Sequence, residues 1–308
     1  MIKLLAGIVT FNSCKTIEKC LAAIRESAAG ISCKIAVCDN ASTDGTTELI
    51  SRTFPDIELI SNMKNTGYAA GVNRIARSCE WEYFLVLNPD LYTMKDSIPT
   101  ALRFAESNQD AFLVGVKLED ENGNAVHSYG DIVIPSMFEY DFSGMRKILP
   151  FNGWSSTKKV TSQKEPFAAG FVTGAFMLIP QRAWNLVGPM DENFFLYFED
   201  MDWAYRLWKT GKIAYVHPGV KACHESGASF GNNPEATEYK MKCYFESAFK
   251  YFTKHFGKGK SKATFAHVLT TTKLKLWILA HTGKGSSDAA SRQRLIIKIL
   301  NEISTGLG

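Results

Sequence analysis

The amino-acid sequence predicts an α/β protein built on a mostly parallel sheet with flanking helices. Three observations carry this prediction. Short apolar runs recur at residues 4–9, 35–38, 57–60 and 84–87, the form taken by strands buried on both faces. Segments with helical apolar spacing separate them, and a β-α-β-α-β-α-β order implies parallel strands with right-handed crossovers. Each run also stops at polar or turn-forming residues, most abruptly at Asn88-Pro89-Asp90. Pro89 lacks an N–H and disfavours helix at Asn88, so pairing ends there and an amide and a carboxylate stand at the carboxyl edge of the sheet. That edge is where ligands bind in open α/β sheets. An ordinary strand-ending turn would have the same local sequence.

The elements follow in order. The first strand ends in Thr10-Phe11-Asn12. A helix over 16–29 has Ile17, Cys20, Leu21 and Ile24 on one face. The second strand ends in Asp39-Asn40-Ala41-Ser42-Thr43-Asp44-Gly45, where Ser42 or Thr43 is expected to cap the helix containing Leu49 and Ile50. After the third strand, Asn65-Thr66-Gly67 leads into a helix through Gly71 and Asn73, and the fourth strand follows. A helix over 99–106 and a strand over 112–116 come next. Residues 117–170 read as an irregular insertion over the sheet edge, with a hairpin turn at 119–124. A buried strand over 171–179 and a short helix over 182–186 resume the pattern. Short strands at 213–216 and 220–223 flank His217-Pro218-Gly219. The last part is helical, with Phe245, Phe249, Phe252 and Phe256 in one stripe, a break at 257–260, and two more helices separated by a loop at 283–288. The expected domains are 1–234, carrying the sheet, and 235–308, a basic helical extension.

A chain of 308 residues with 45% hydrophobic and 21% charged residues is ordinary for a globular protein. Seven scattered cysteines without a C-x-x-C pair argue against a disulfide framework or zinc site and for a reducing compartment. The first ten residues resemble a strand more than a signal peptide, and no apolar run approaches the ~20 residues of a membrane span. The net charge of +4 is unevenly placed: from residue 240 onward there are 13 Lys/Arg against three Asp/Glu. A mildly acidic body with a basic tail points to an anionic surface partner for the tail. The alternative is a solvated helical face.

The second notable stretch is Met190-Asp191-Glu192-Asn193-Phe194-Phe195-Leu196-Tyr197-Phe198-Glu199-Asp200-Met201-Asp202-Trp203. A helix begins near Glu199, runs through Ala204, Leu207 and Trp208, and ends at Gly211. Asp202 and Arg206 are placed to pair, and Glu199 and Asp200 fall in the first turn, where the helix dipole favours anions. Capping alone does not account for acids set among aromatics.

Together these motifs resemble the inverting nucleotide-sugar transferases of glycosyltransferase family 2, with the GT-A fold, and within them the rhamnosyltransferase-like branch. The match rests on Val9-Thr10-Phe11-Asn12, the Asp39–Gly45 stretch, Asn65-Thr66-Gly67 with Gly71 and Asn73, Asn88-Pro89-Asp90, Thr173-Gly174-Ala175-Phe176, and Phe194 through Asp202, in that order and spacing. It covers residues 1 to about 230, with the 251–257 segment resembling a common family ending.

The resemblance implies a role for each candidate. Asp39 would accept the N3–H of uracil or thymine, with Thr10 and Asn12 lining the same pocket and Asn65 and Gly67 approaching the nucleotide. Asn88 would contact sugar or phosphate. Asp90 would hold a divalent cation, Mg²⁺ or Mn²⁺, that neutralises the diphosphate leaving group. The family usually carries Asp-x-Asp here; with Asn88 in the first place, Asp90 carries the metal argument. His224 resembles a histidine that completes the metal site in some relatives, the alternative being a structural role. Asp200 would be the base that deprotonates the acceptor hydroxyl, with Glu199 and Asp202 as runners-up. Asp191 would position acceptor or loop, and Tyr197 and Trp203 would shape the acceptor site, core packing being the alternative.

The resemblance implies as partners a dTDP- or UDP-sugar, with dTDP-rhamnose the expected donor, and a lipid-linked acceptor of a bacterial surface glycan such as O-antigen, capsule or cell-wall polysaccharide. Nucleic acid is not among them. The basic tail would lie at the inner face of the cell membrane, or form a helical subdomain that packs on the core or makes a homodimer. A binding or scaffold protein without catalysis is the alternative class, disfavoured by the intact Asp90 and Asp200. A sugar-phosphate nucleotidyltransferase is disfavoured because Asn12-Ser13-Cys14-Lys15 lacks the Gly-rich loop with Arg and Lys.

Overall fold

A computed structural model describes residues 1–143, 162–225 and 234–306. Its main sheet has the strand order β3-β2-β1-β4-β10-β6-β11-β5, with β8 also paired to β11. The strands are β1 (Ile2–Thr10), β2 (Cys33–Asp39), β3 (Glu58–Ser61), β4 (Trp81–Leu87), β5 (Leu91–Thr93), β6 (Leu113–Glu119), β8 (Phe167–Ala169), β10 (Phe176–Pro180) and β11 (Ala214–His224). Four of them, β3, β2, β1 and β4, are mutually parallel, joined by α1 (Ile17–Ser27), α2 (Thr46–Thr53) and α3 (Tyr68–Ala76). In β1, Leu4, Leu5, Ala6 and Ile8 are all buried, which is why the strand reads as an unbroken apolar run.

The register explains the polar edge. Thr10 lies opposite Asp39, and Ile8 opposite Leu87, so β1, β2 and β4 end together. Antiparallel β10 starts at this edge, with Phe176 opposite Leu87.

Several local expectations are corrected. Residues 171–179 form two strands: β9 (Phe171–Val172) pairs with β7 (Tyr129–Gly130) in a separate two-stranded sheet, and β10 returns to the main one. The chain changes sheets at 173–175, so the apolar run breaks there. The two short strands around Pro218 are one strand, β11, whose register against β6 shifts between His217 and Lys221; a bulge accommodates the missing proline N–H. Neither Ser42 nor Thr43 caps α2. Gly45 holds that position at φ 88°, and the Asp44 carboxylate accepts the Thr46 N–H at 3.2 Å.

The segment expected to be irregular contains regular structure. The turn at 120–124 forms, with Asp120 N–H donating to Asn124 O at 2.8 Å and Gly123 N–H to Asp120 O at 2.9 Å. Beyond it come β7, α5 (Pro135–Ser143), β8 and β9. Residues 144–161 of this segment lie outside the described residues. Two further helices, α4 (Ser97–Ser107) and α6 (Gln181–Val187), precede the acidic helix α7 (Glu199–Lys209).

The chain divides into two compact units. The first contains the sheets with α1–α4, α6 and α7. The second contains α5, the tripeptide Leu196–Phe198, and helices α8 (Pro234–Phe256), α9 (Lys258–His281) and α10 (Asp288–Gly306). A division at residue 234 therefore misses two pieces of chain that pack with the helices. The core of the second unit is aromatic: Phe138 lies 5.1 Å from Phe252 and 5.9 Å from Phe265, centroid to centroid, and Phe245 and Phe249 join them. Only Gly257, at φ 87°, separates α8 from α9, so the expected break shrinks to one residue.

Candidate active site

The ends of β1 and β2 form the first part of the site. Asp39 is buried and well served: Oδ1 accepts the Thr10 hydroxyl at 2.9 Å and the Ser42 hydroxyl at 2.5 Å, while Oδ2 accepts the Ser42 N–H at 2.9 Å. Asn12, at φ 53°, ties the two strand ends together. Its N–H donates to Ser42 Oγ at 2.8 Å, and its Oδ1 accepts the Thr43 N–H at 2.9 Å. Asp39 thus closes an Asx-type turn onto Ser42, and its Oδ2 still bears only one donor.

Asn40, which the sequence reasoning passed over, is the hub behind this shelf. Its amide donates to Gly67 O at 3.1 Å and its Oδ1 accepts from Asn62 and Thr66. Arg74 extends the network by bonding Asn62 Oδ1. Asn65 Oδ1 accepts the Gly67 N–H at 3.0 Å. Gly67 sits at φ 89°, and a Cβ there would lie 2.6 Å from Phe195 O, so no side chain fits. Tyr68 N–H donates to that same carbonyl at 2.9 Å. Asn73 holds the same loop further along, donating to Met190 O at 2.8 Å and Glu192 Oε1 at 2.9 Å.

The second part is Asn88-Pro89-Asp90 at the end of β4. Pairing of β5 with β11 puts His224 opposite Leu91, directly beside Asp90. His224 Nε2 lies 3.2 Å from Asp90 Oδ1 and 3.3 Å from Asn88 Nδ2. The approach to Asp90 has ion-pair distance but not hydrogen-bond geometry, and Oδ1 is buried without a hydrogen-bond donor. An orphaned carboxylate oxygen beside an imidazole nitrogen suits a divalent cation such as Mn²⁺ or Mg²⁺. Among the described residues no group of three His, Cys, Asp or Glu side chains gathers. The remaining coordination positions would then fall to diphosphate oxygens and water.

The third part is the start of α7. Tyr197 and Phe198 both sit at φ 67°, an uncommon conformation for aromatic residues, just before Glu199. Within the second unit, Phe198 packs 5.3 Å from Tyr244 and 5.4 Å from Tyr251, and Ser247 Oγ donates to Leu196 O at 2.8 Å. Asp200 is half-buried; Oδ2 accepts the Gly174 N–H at 2.8 Å and Oδ1 the Met201 N–H at 2.7 Å. Burial raises its pKa above the ordinary carboxylate range, and the two backbone donors pull the other way. Glu199 is buried, with Oε2 lacking any donor. Burial, then the neighbouring Asp200 charge, pushes its pKa well up, so it favours the neutral acid.

Tyr68 completes this corner and was not singled out from the sequence. Its hydroxyl donates to Gly174 O at 2.8 Å. Burial, then the charges of Glu199, Asp200 and Asp90, raise its pKa, which keeps the phenol protonated. Its position directly after Gly67 was the available signal.

Thr10, Asn12 and Asp39 thus interlock, Asn65 bonds Gly67, which lies against Phe195, and Asn88, Asp90 and His224 gather where β4, β5 and β11 meet. Two expectations are corrected. Trp203 is 0% exposed, its indole N–H donating to Gly188 O at 2.9 Å, so it is core and not acceptor surface. Asp202, also 0% exposed, is paired to Arg206 Nε at 2.9 Å, and that guanidinium further bonds Val187 O and Pro189 O. It is a structural ion pair and no candidate base. Asp191 accepts the Asn193 N–H at 3.0 Å in a loop turn, and Tyr197 stays half-buried.

This arrangement can be set beside known proteins. The profile of the family described as glycosyl transferase family 2 matches residues 6–183. Among curated proteins, the chain is 29% identical over 218 residues to the N-acetylglucosaminyl-diphospho-decaprenol L-rhamnosyltransferase of Mycobacterium tuberculosis, covering 65% of this chain and 69% of that protein. It is 25% identical over 182 residues to the rhamnosyltransferase WbbL of Escherichia coli, covering 58% and 64%. To the dTDP-rhamnosyl transferase RfbF of Shigella flexneri it is 22% identical over 227 residues, covering 72% and 69%. Among solved structures, the mannosyltransferase PcManGT from Pyrobaculum calidifontis in complex with GDP-Man and Mn²⁺ superimposes with a TM-score of 0.57 at 15% identity, covering 97% of this chain and 86% of that one. The structural likeness bears out the expected fold. With the family profile spanning more than half of its length, the chain belongs to glycosyl transferase family 2 and is a glycosyltransferase.

Proposed function

We propose that the chain transfers L-rhamnose from dTDP-rhamnose to a hydroxyl of a lipid-linked bacterial surface glycan, with inversion at the anomeric carbon. The observation that carries this reading is Asp200: a half-accessible carboxylate fixed by two backbone N–H groups at the sheet edge that also bears Asp39 and Asp90. The names of the Mycobacterium and Shigella relatives, one specifying a decaprenol-linked acceptor and the other dTDP-rhamnosyl transfer, support the choice of donor and acceptor class.

In this reading Asp39 accepts the N3–H of the thymine, using the lone pairs that Thr10 and Ser42 leave open. Asn12, Asn65 and the glycine backbone at 67 shape the nucleotide pocket, and Asn88 contacts sugar or phosphate. Asp90 and His224 hold a divalent cation, and Mn²⁺ in the related mannosyltransferase structure supports one here. Such a cation supplies positive charge to the departing diphosphate. Asp200 takes the proton from the acceptor hydroxyl as that oxygen attacks from the far side of the sugar. Glu199, held as a neutral acid, does not compete for that proton. Asp191 and Tyr197 belong to the acceptor side. The basic C-terminal helices bring the chain to the inner face of the cell membrane, where a lipid-linked acceptor is within reach.

A donor screen tests the proposal. Purified protein is incubated with dTDP-, UDP- and GDP-sugars, with and without Mg²⁺ or Mn²⁺, and released nucleoside diphosphate is measured. Turnover is expected with dTDP-rhamnose and to fall on chelation. Preferential turnover of a GDP- or UDP-sugar would overturn the donor assignment.

A further inference from the structure

We propose that the exposed face at the C-terminal end of α9 is a membrane-docking surface that seats on anionic phospholipid headgroups. This sharpens the membrane placement proposed above but depends on neither the donor nor the acceptor.

The first observation is charge. The 24 residues of α9 include five lysines and no Asp or Glu. Its neighbours are mixed: α8 carries Glu235, Glu238 and Glu246, and α10 carries Asp288 and Glu302. No carboxylate on α9 itself offsets these lysines, and its exposed ones suit an anionic surface.

The second observation is where the apolar groups point. The packed side of α9 is built from Ser261, Thr264, Phe265, Val268 and Thr272. Past residue 272 three large apolar side chains turn outward, while Leu276 and Leu279 stay half-buried. Leu274 is 56% exposed, Trp277 58% and Ile278 46%. Spacings of three and four residues put these three on one patch. Lys273 is one turn from Trp277, and Lys284 lies in the turn that closes the helix, its N–H donating to Leu279 O at 2.9 Å. Lys275 is engaged with the Phe142 carbonyl and is left out of the patch. An indole with aliphatic neighbours inside a lysine fringe fits the water–lipid boundary, where the ring sits at headgroup depth and the ammonium groups meet phosphates. None of the helices among the described residues is long and apolar enough to cross a membrane, so the contact is with the surface. A second copy is the less suitable occupant: a two-fold pairing of this face would set lysine against lysine with no carboxylate on the helix to answer it.

The experiment is vesicle flotation of the full chain without nucleotide sugar. Wild-type protein is expected to float with vesicles of mixed phosphatidylglycerol and phosphatidylcholine, not with phosphatidylcholine alone, and to release in high salt. The double variant Trp277→Ser/Ile278→Ser should partition at least about tenfold more weakly. Lys273→Glu/Lys284→Glu should lose the preference for phosphatidylglycerol. Both variants should keep wild-type thermal unfolding and donor turnover, since these residues lie outside the donor site. Absence of wild-type flotation, or unchanged flotation of Trp277→Ser/Ile278→Ser, overturns the proposal. So does a shift of that variant from dimer to monomer in vesicle-free sedimentation, which would make the patch a self-association surface. Flotation without turnover of any sugar nucleotide would instead count against the proposed reaction alone.

Discussion

Asp39 and Glu199 are both buried carboxylates in the sheet-bearing unit, and they are served very differently. Asp39 collects three donors on its two oxygens, from Thr10 and Ser42. Glu199 has an oxygen with no donor at all, and burial together with Asp200 drives it toward the neutral form. A carboxylate gripped by several fixed donors is held in one place with a lone pair to spare, which suits recognition. A carboxylate starved of donors beside a second one makes the proton affinity of both sensitive to their surroundings, which suits proton transfer. The comparison assigns binding to the β1–β2 end and chemistry to the head of α7.

The largest effect that tests this division is expected at Asp200. Asp200→Asn should lower kcat by about 10²–10⁴-fold, the usual worth of a general base, while leaving nucleotide affinity within a few-fold. Near-normal turnover would remove Asp200 from the base role. Next comes the pair that neither region contains. Asp90→Ala should weaken Mn²⁺-dependent nucleoside-diphosphate binding, measured calorimetrically, by about 10–100-fold, and His224→Ala by less, because water can replace an imidazole more readily than a charge. Equal affinity with and without Mn²⁺ in the wild type would break the metal assignment.

Asp39→Ala should show the opposite signature to Asp200→Asn. It strands the Thr10 hydroxyl and two groups of Ser42, costing about 1–3 kcal/mol of stability in urea unfolding, and it should raise KM for the donor more than it lowers kcat. The smallest effect is a pH dependence. The folded-state pKa of Glu199 lies above its ordinary 4.5, so the stability it contributes is full below about pH 4.5 and is lost as pH rises toward the folded value. Glu199→Gln should therefore match the wild type in acid and gain on it as pH rises. Parallel stability curves for the two proteins would mean that Glu199 is not held neutral.

The division between the two carboxylate sites was partly legible in the sequence. Asp39 and Asp200 could be named because each follows a strong pattern, the end of an apolar strand or an acidic pair at a helix start. Their difference in hydrogen bonding could not, because the Gly174 N–H that holds Asp200 comes from the point where the chain leaves one sheet for another. An apolar run carries no mark of which sheet it will join, so residues 171–179 read as one strand. Trp203 was misplaced for a related reason. Set among acids it resembles a sugar platform, yet its spacing to Leu207 already favoured the buried face of α7, where both lie. Tyr68 and Asn40 were missed because neither residue type is distinctive until its partners 106 and 27 positions away are known.

The sequence by itself determined the parallel strands, their common polar edge and the acidic helix, because burial on both faces and helical periodicity are local patterns that survive without knowledge of partners. It also carried the family resemblance and the basic tail. Only the tertiary structure decided that His224 stands beside Asp90, that Gly67 must be bare because Phe195 O is 2.6 Å from its would-be Cβ, and that Trp277 faces outward. Those facts depend on strand register and helix packing between segments far apart in the chain, and no local pattern encodes which surface another segment will cover.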